Sequence, residues 1–278
     1  MKQISTITDM RKALARTRGT VGLVPTMGYV HAGHLALVAR ARDENDVVVV
    51  TIFVNPTQFG PEEDFERYPR DMKRDLALLR KAGADFVFTP DVPEMYPKGY
   101  GTYVKVEGIS DKLEGASRPG HFRGVATVVS KLFNIIPAHR AYFGQKDAQQ
   151  VLVVKTMARD LDFPHEIVTV PTVRDTDGLA LSSRNVYLTV EERQAALVIP
   201  RAIFLAEELH RAGERDAREI RAAMRAILDE EPAVKLDYVT VSDAETLEEL
   251  DRIDGRALVA VAARVGKVRL IDNVPLGD

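Results

Sequence analysis

Val24-Pro25-Thr26-Met27-Gly28-Tyr29-Val30-His31-Ala32-Gly33-His34 is the stretch on which the fold of this chain turns. The residues just before it, 21–24, form an apolar run that reads as a buried strand. The run breaks at Pro25 and Gly28, two histidines follow at spacing i, i+3, and a helical run continues over residues 35–42. A strand, a glycine-bearing turn and a helix start together make a place to hold phosphate. The helix N-terminus offers free backbone N–H groups and a partial positive charge. His31 and His34 would share one face of that helix. The segment proposes a nucleotide-handling enzyme.

Outward from this stretch, strand-like and helix-like runs alternate over the first 170 or so residues. Residues 47–54 (VVVVTIFV) are β-branched and apolar throughout, the pattern of a central parallel strand covered on both faces. Residues 71–81 carry Met72, Leu76 and Leu79 at helical spacing and stop at Gly83. Residues 86–88 read as a short strand, 125–136 as a helix stopped by Pro137, and 140–143 as a strand ending at Gly144. Residues 148–161 read as a helix and 166–170 as a strand closed by Pro171. Strands alternating with helices imply βαβ units and a parallel sheet. The pattern then changes. A polar loop, 174–184, leads to helices over 190–211 and 217–228 and to strands over 236–241, 257–262 and 267–271, with a hairpin turn expected at 263–266. The expected fold class is α/β, a Rossmann-like parallel-sheet domain over 1–172 followed by a smaller α+β domain over 173–278.

Composition narrows the function. The chain has 278 residues, enough for a large core and for two domains. Lys plus Arg is 38 and Asp plus Glu is 41, a net charge of −3 that is no nucleic-acid signature. Cysteine is absent, which excludes disulfides, thiolate metal sites and thiol nucleophiles. There is no signal-peptide core and no apolar run near 18 residues, so a cytoplasmic protein without membrane contact is expected.

Four further segments carry polar groups suited to chemistry. Phe53-Val54-Asn55-Pro56-Thr57-Gln58-Phe59-Gly60 lies at the carboxyl end of the most apolar strand, where open α/β sheets place ligands. Its Asn55 and Gln58 are neutral groups that can recognise hydroxyl and carboxylate; a polar turn stopped by Pro56 is the plainer alternative. Phe143-Gly144-Gln145-Lys146-Asp147-Ala148-Gln149-Gln150 repeats the strand-glycine-helix pattern. Asp147 is a natural N-cap, and Lys146 is either a surface lysine or a counter-charge for phosphate at a helix start. Leu181-Ser182-Ser183-Arg184-Asn185 supplies two hydroxyls and a guanidinium, a phosphate clamp or an ordinary loop. Residues 114–124 (EGASRPGHFRG) form a glycine-rich stretch, either a mobile lid or a connecting loop.

Taken together and in this order, these motifs resemble the pantothenate synthetase (pantoate–β-alanine ligase) family, from about Gly22 through Asn273. The most specific pieces are residues 27–34, 53–60, 120–125, 144–147 with Gln149 and Gln150, and 177–185. The H-x-G-H signature also places the chain in the wider nucleotidyltransferase superfamily. The resemblance implies a Rossmann-like domain with a smaller C-terminal lid, a homodimer, and ATP with Mg²⁺. It implies condensation of D-pantoate with β-alanine through a pantoyl-adenylate, releasing AMP and pyrophosphate. By position it assigns ATP to Met27, Gly28, Tyr29, Val30, His31, Ala32, Gly33 and His34, to Gly144, Gln145, Lys146 and Asp147, and to Val173, Leu181, Ser182, Ser183 and Arg184. Catalytic roles fall to His34, as proton donor, His31 and Lys146. Pantoate falls to Gln58 and Gln150, and β-alanine to Gln58.

Val30 departs from the more usual leucine, and Gln145 from the more usual glutamate. Met72, Lys73 and Arg74 interrupt an acidic cluster associated with Mg²⁺ in some members, which leaves the metal ligands open. The charges suggest imidazolium donors aimed at phosphate oxygens. Three other readings fit parts of the pattern: a nucleotidyltransferase acting on another acceptor, a non-catalytic nucleotide sensor, and a metal hydrolase built on His31 and His34.

Overall fold

The computed structural model describes residues 1–61 and 63–277. Its first part is a six-stranded, wholly parallel sheet of β1 (Lys2–Ile4), β2 (Val21–Thr26), β3 (Val47–Ile52), β4 (Phe86–Phe88), β5 (Arg140–Gly144) and β6 (Glu166–Val170). The spatial order is β1-β4-β3-β2-β5-β6. The helices of this part are α1 (Ile7–Leu14), α2 (Ala32–Glu44), α3 (Met72–Lys81), α4 (Val92–Met95), α5 (Glu114–Ser117), α6 (His121–Ile135) and α7 (Ala148–Asp160). The continuous apolar run of β3 is explained by its two covered faces. Val49 enters a core with α1, α6 and α7, while Val48 and Val50 enter a second core against α2 and α3.

The second part holds α8 (Val190–Ala196), α9 (Val198–Arg211), α10 (Ala217–Asp229) and an antiparallel sheet in the order β7 (Val234–Asp243), β8 (Ala257–Val265), β9 (Val268–Leu276). Its core is separate: Ile203, Ile220 and Met224 of the helices pack on Val259, Val261 and Ala263. The expected α/β class with a smaller α+β part is the observed one.

Several boundaries differ from the sequence reading, each for a local reason. The single helix expected over 190–211 is two, because Pro200 cannot donate to Ala196 and its ring crowds that carbonyl, so α8 stops at Ala196. The hairpin turn is Gly266-Lys267, not 263–266: Val265 and Val268 still pair, both buried, and Gly266 supplies the positive φ (+56°) that a two-residue turn needs. The glycine-rich stretch is largely helical, with α5 at 114–117 and α6 starting at His121, four residues before expectation. Gly124 therefore sits within α6, where a Cβ would lie 2.3 Å from the Thr57 carbonyl oxygen. The edge strand β1 and helix α1 were not foreseen.

Strand β2 is the turning point of the sheet, with β3 and β4 built outward on one side and β5 and β6 on the other. The crevice at the carboxyl ends of β2 and β5 is thus the topological switch point, the place where such sheets bind ligands. The segments after β2, β3 and β5 are three of the five that sequence singled out.

Candidate active site

The turn after β2 is set by a buried carboxylate. Asp75 of α3 accepts the Tyr29 N–H at Oδ2 (2.7 Å) and the Val30 N–H at Oδ1 (2.8 Å), while Thr26 Oγ1 accepts the Gly28 N–H (3.1 Å). Gly28 has φ +85°, and a Cβ there would lie 2.9 Å from the Ile52 side chain, so only glycine fits. Burial raises the Asp75 pKa, and the two N–H bonds oppose it. Each Asp75 oxygen accepts one backbone N–H, and the carboxyl group is buried. Among the described residues no three His, Asp or Glu side chains converge as a metal cage.

His31 is the N-cap of α2. Its Nδ1 accepts the Gly33 N–H (3.2 Å), and His34 Nδ1 accepts the His31 N–H (3.3 Å). These reciprocal bonds consume two helix-terminal donors. They also fix the tautomers. A nitrogen that accepts from backbone carries no proton, so each neutral ring keeps its hydrogen on Nε2. The ring centroids are 4.0 Å apart. The imidazolium expectation does not hold, because both rings titrate well below neutral pH. Burial, then the Lys146 charge, lowers the His31 pKa to about 4; burial, then His31 and Lys146, lowers that of His34 to about 3. Both rings are neutral hydrogen-bond donors at pH 7.

The segment after β3 builds a saturated amide. Asn55 Oδ1 accepts from Tyr96 Oη (2.8 Å), Thr57 Oγ1 (3.0 Å) and the Thr57 N–H (3.4 Å). Asn55 Nδ2 donates to the Gly124 carbonyl (3.2 Å) and to Gln58 Oε1 (2.9 Å). Asn55 is buried and has no valence left for a ligand. Gln58 is left with Nε2, which among the described residues reaches only the Met27 sulfur (3.4 Å), a weak acceptor. The Gln58 backbone is held as well: His121 Nδ1 donates to its carbonyl (2.9 Å), and Arg118 Nη1 donates to His121 Nε2 (3.1 Å). Arg118 in turn makes a two-pronged ion pair with Glu63 (2.6 and 2.7 Å).

A cavity of about 220 Å³ gathers these groups. Met27, His31, Gly33 and His34 line one side, Gly144, Lys146, Asp147 and Gln150 another, and Val173 with residues 181–184 a third. Gln58 also lines it, as do the apolar Phe53, Val125, Val129 and Leu132. Five expected ATP residues do not line it: Gly28, Tyr29, Val30 and Ala32 shape the turn, and Gln145 faces away. Gln145 Nε2 donates to Asn273 Oδ1 (2.9 Å), joining the end of β5 to β9. Asp147 precedes α7 but makes no capping bond, so the N-cap expectation fails and its carboxylate stays half-exposed. Arg184 is paired at 2.8 Å through two nitrogens with Asp64. Sequence reading did not single out Tyr96, Glu63 or Asp64, and it met Asp75 only as the end of the interrupted acidic cluster at 71–75. Arg118 was visible only as a member of a glycine-rich stretch, and His121 as a member of that stretch and of the family-like segment 120–125, with no role given to either.

The chain is similar throughout to proteins of known activity. A sequence profile described as Pantoate-beta-alanine ligase matches residues 2–275. The chain is 61% identical over 273 residues to pantothenate synthetase of Roseiflexus castenholzii, covering 98% of each. It is 60% identical over 279 residues to that of Moorella thermoacetica, covering 99% of each. Among solved structures, pantothenate synthetase from Thermus thermophilus superposes with TM-score 0.95 at 53% identity, covering 99% of both chains. Pantoate-beta-alanine ligase from Francisella tularensis, complexed with beta-gamma ATP and beta-alanine, superposes with TM-score 0.80 at 35% identity, covering 99% of this chain and 97% of the other.

Proposed function

The chain belongs to the pantoate-beta-alanine ligase family and ligates pantoate to β-alanine, and from that premise we propose the course of the reaction and the residues that carry it. ATP is the third substrate, as in the ATP complex of the Francisella tularensis relative. Pantoate's carboxylate is ionised at neutral pH and needs no base. It attacks the α-phosphorus in line: a carboxylate oxygen–phosphorus bond forms as the bond from the α-phosphorus to the bridging oxygen breaks, and pyrophosphate leaves. The neutral amine of β-alanine then attacks the acyl carbon, AMP leaves, and the amine proton passes to solvent or to released phosphate.

The obstacle in the first step is charge, an anion approaching a polyanion while more charge gathers on the leaving oxygen. Lys146, the Nε2–H donors of His31 and His34, the Ser182 and Ser183 hydroxyls, and Arg184 are the groups proposed to meet it. His34 acts here as a hydrogen-bond donor, since a neutral ring has no acidic proton to transfer at pH 7. Arg184 must share or release Asp64 to take part. Gln58 and Gln150 hold pantoate, and Gln58 also lies by β-alanine; neutral amides bind the nucleophile without neutralising it. Mg²⁺ is proposed as a counter-ion of the ATP phosphates and not as a protein-caged metal, because Asp75 is buried and holds two backbone N–H groups and, among the described residues, no carboxylate cluster stands ready.

The supporting observation is one cavity that joins both histidines and Lys146 to both glutamines. Pyrophosphate release from ATP tests the scheme: it should require pantoate and proceed without β-alanine. Release independent of pantoate would sink it. We also propose a domain boundary at 172/173, supported by the two separate cores, with the second part as lid. Assembly as a cytoplasmic homodimer rests on the family resemblance, and sedimentation tests the dimer. No helix among the described residues is long and apolar enough to cross a membrane.

A further inference from the structure

Lys146 rides on the short turn 145–147 between β5 and α7, and that turn has little of its own to hold it. Neither the turn nor the start of α7 carries a side-chain cap, and at Gly144, just before the turn, a Cβ would meet nothing within 4 Å. Among the described residues, the side-chain hydrogen bonds that reach the turn from elsewhere in the chain all come from Asn273 of β9. Asn273 Nδ2 donates to the Lys146 carbonyl (2.8 Å) and to the Gln145 carbonyl (3.0 Å), and its Oδ1 accepts from Gln145 Nε2 (2.9 Å). Both N–H donors of the amide are used, and carbonyls can only accept, so the amide has one orientation.

This clamp is itself anchored. Asn273 is buried on β9, an edge strand of the second sheet. Its backbone N–H donates to Asp272 Oδ1 (2.8 Å), and Asp272 is held by two nitrogens of Arg174 (2.6 and 2.9 Å). The sheet is fixed to the first part close by. Arg269 pairs with one oxygen of Glu114 (2.5 Å), Tyr238 Oη donates to the other (2.9 Å), and Leu258 and Ala260 of β8 pack with Ala148 and Leu152 of α7. Lys146 belongs to the first part of the chain, yet its carbonyl is held from the second.

We propose that Asn273 is a positioning residue for Lys146: through two backbone carbonyls it sets where the ammonium stands in the cavity it shares with both histidines, and so makes that donor depend on the second part of the chain. Asn273 does not line that cavity and acts only through Lys146. This rests on the reading that Lys146 stabilises the charge developing in the first step. A small displacement is enough, since misplacing a group by about 1 Å can cost roughly 100-fold in rate.

Single-turnover adenylate formation, measured in a double-variant cycle on the full chain, tests it. Asn273→Ala should slow the step about tenfold or more in the parent but less than about twofold on the Lys146→Ala background, with the KM for pantoate held within about twofold. Asn273→Ser, whose hydroxyl ends short of both carbonyls, removes the same bonds and carries the test where the alanine variant does not fold. A fall of similar size on both backgrounds marks Asn273 as merely structural and overturns the role, as does a rate within about twofold of the parent in the single variant. If Lys146→Ala itself keeps its rate, the catalytic reading of Lys146 falls and the role of Asn273 with it. A slow Lys146→Ala beside an unimpaired Asn273→Ala leaves that reading standing and removes only the positioning role.

Discussion

Asn55 donates its side-chain N–H to the side-chain carbonyl of Gln58 across 2.9 Å, and this bond decides which way the Gln58 amide points. Asn55 itself cannot flip. The Thr57 backbone N–H can only donate to its Oδ1, and the Gly124 carbonyl can only accept from its Nδ2. Gln58 must therefore offer its N–H₂ group to the cavity, where it reads an acceptor such as a carboxylate or hydroxyl oxygen. Asn55→Asp puts an acceptor opposite Gln58 Oε1 and should turn the Gln58 amide around. A buried polar group left against the wrong partner costs about 1–3 kcal/mol. The expected result is a fall of roughly 10- to 100-fold in kcat/KM for pantoate, with the KM for ATP little changed. Steady-state kinetics in each substrate check it, and equal losses for both substrates would count against the polarity argument.

Gly33 shows a conflict between helix propensity and site geometry. It lies in the first turn of α2, where alanine would ordinarily stabilise by up to about 1 kcal/mol. Here a Cβ would come 2.9 Å from His31 Cε1 and 3.0 Å from its Nδ1. Gly33→Ala should push the His31 ring off the Gly33 N–H and misdirect its Nε2–H. The protein should keep its thermal midpoint or gain slightly while the KM for ATP rises about tenfold or more. Full activity in a stable Gly33→Ala variant would show that the cap geometry of His31 is dispensable.

How much of this was legible beforehand divides along physical lines. Turn and helix signals are local, so the strand–turn–helix around His31 and the strand ends carrying Asn55, Gln58 and Lys146 could be read from residue order. Partners distant in sequence could not. Asp75 reaches back more than forty residues to the Tyr29 and Val30 N–H groups, and from sequence it is one more acid in an amphipathic helix. Tyr96 looks like a surface aromatic until the fold lays it on Asn55. The protonation of His31 and His34 depends on burial and on Lys146, which spacing does not reveal. Pro200 was a local signal that could have split the 190–211 helix; the length of the apolar periodicity obscured it.

Depressed histidine pKa values make a pH prediction with a definite sign. His31 and His34 bind protons in the unfolded chain near pH 6.5 but in the folded chain only near 4 and 3. Below 6.5 the unfolded state thus binds more protons, and stability falls as pH drops from about 6.5 toward 4, at up to about 1.4 kcal/mol per pH unit for each ring. Above 6.5 these groups contribute no pH dependence. In the free protein neither ring should titrate between about pH 5.5 and 8. NMR shifts of the imidazole carbons follow this directly, and their pattern should report the Nε2–H tautomer. A midpoint near 6.5 for either ring would contradict the burial of the pair.

Asp75→Asn separates a positioning role from a metal role. The amide keeps one acceptor for Tyr29 or Val30 but turns an N–H₂ toward the other backbone N–H. The turn before His31 should loosen, costing about 1–3 kcal/mol of stability and raising the KM for ATP. The Mg²⁺ concentration giving half-maximal activity should not move. A large shift in that concentration would mean that Asp75 meets the metal after all.

Lys146 joins both rings of the site, because its charge is one of the causes that lower the pKa of His31 and of His34. Removing a preorganised donor of developing charge typically costs about 2.7–4 kcal/mol of barrier, so Lys146→Ala and His34→Ala should each lose roughly 100-fold or more in adenylate formation. The two variants differ in a second readout. Lys146→Ala takes away a nearby positive charge and should raise the pKa of His31 toward 6.5, whereas Lys146→Arg should leave it low. A single-turnover assay measures the first effect and imidazole NMR the second. Loss of rate without movement of the His31 pKa would place Lys146 at the phosphates but electrically remote from the rings; movement of the pKa with full rate would make it a neighbour that takes no part in the chemistry.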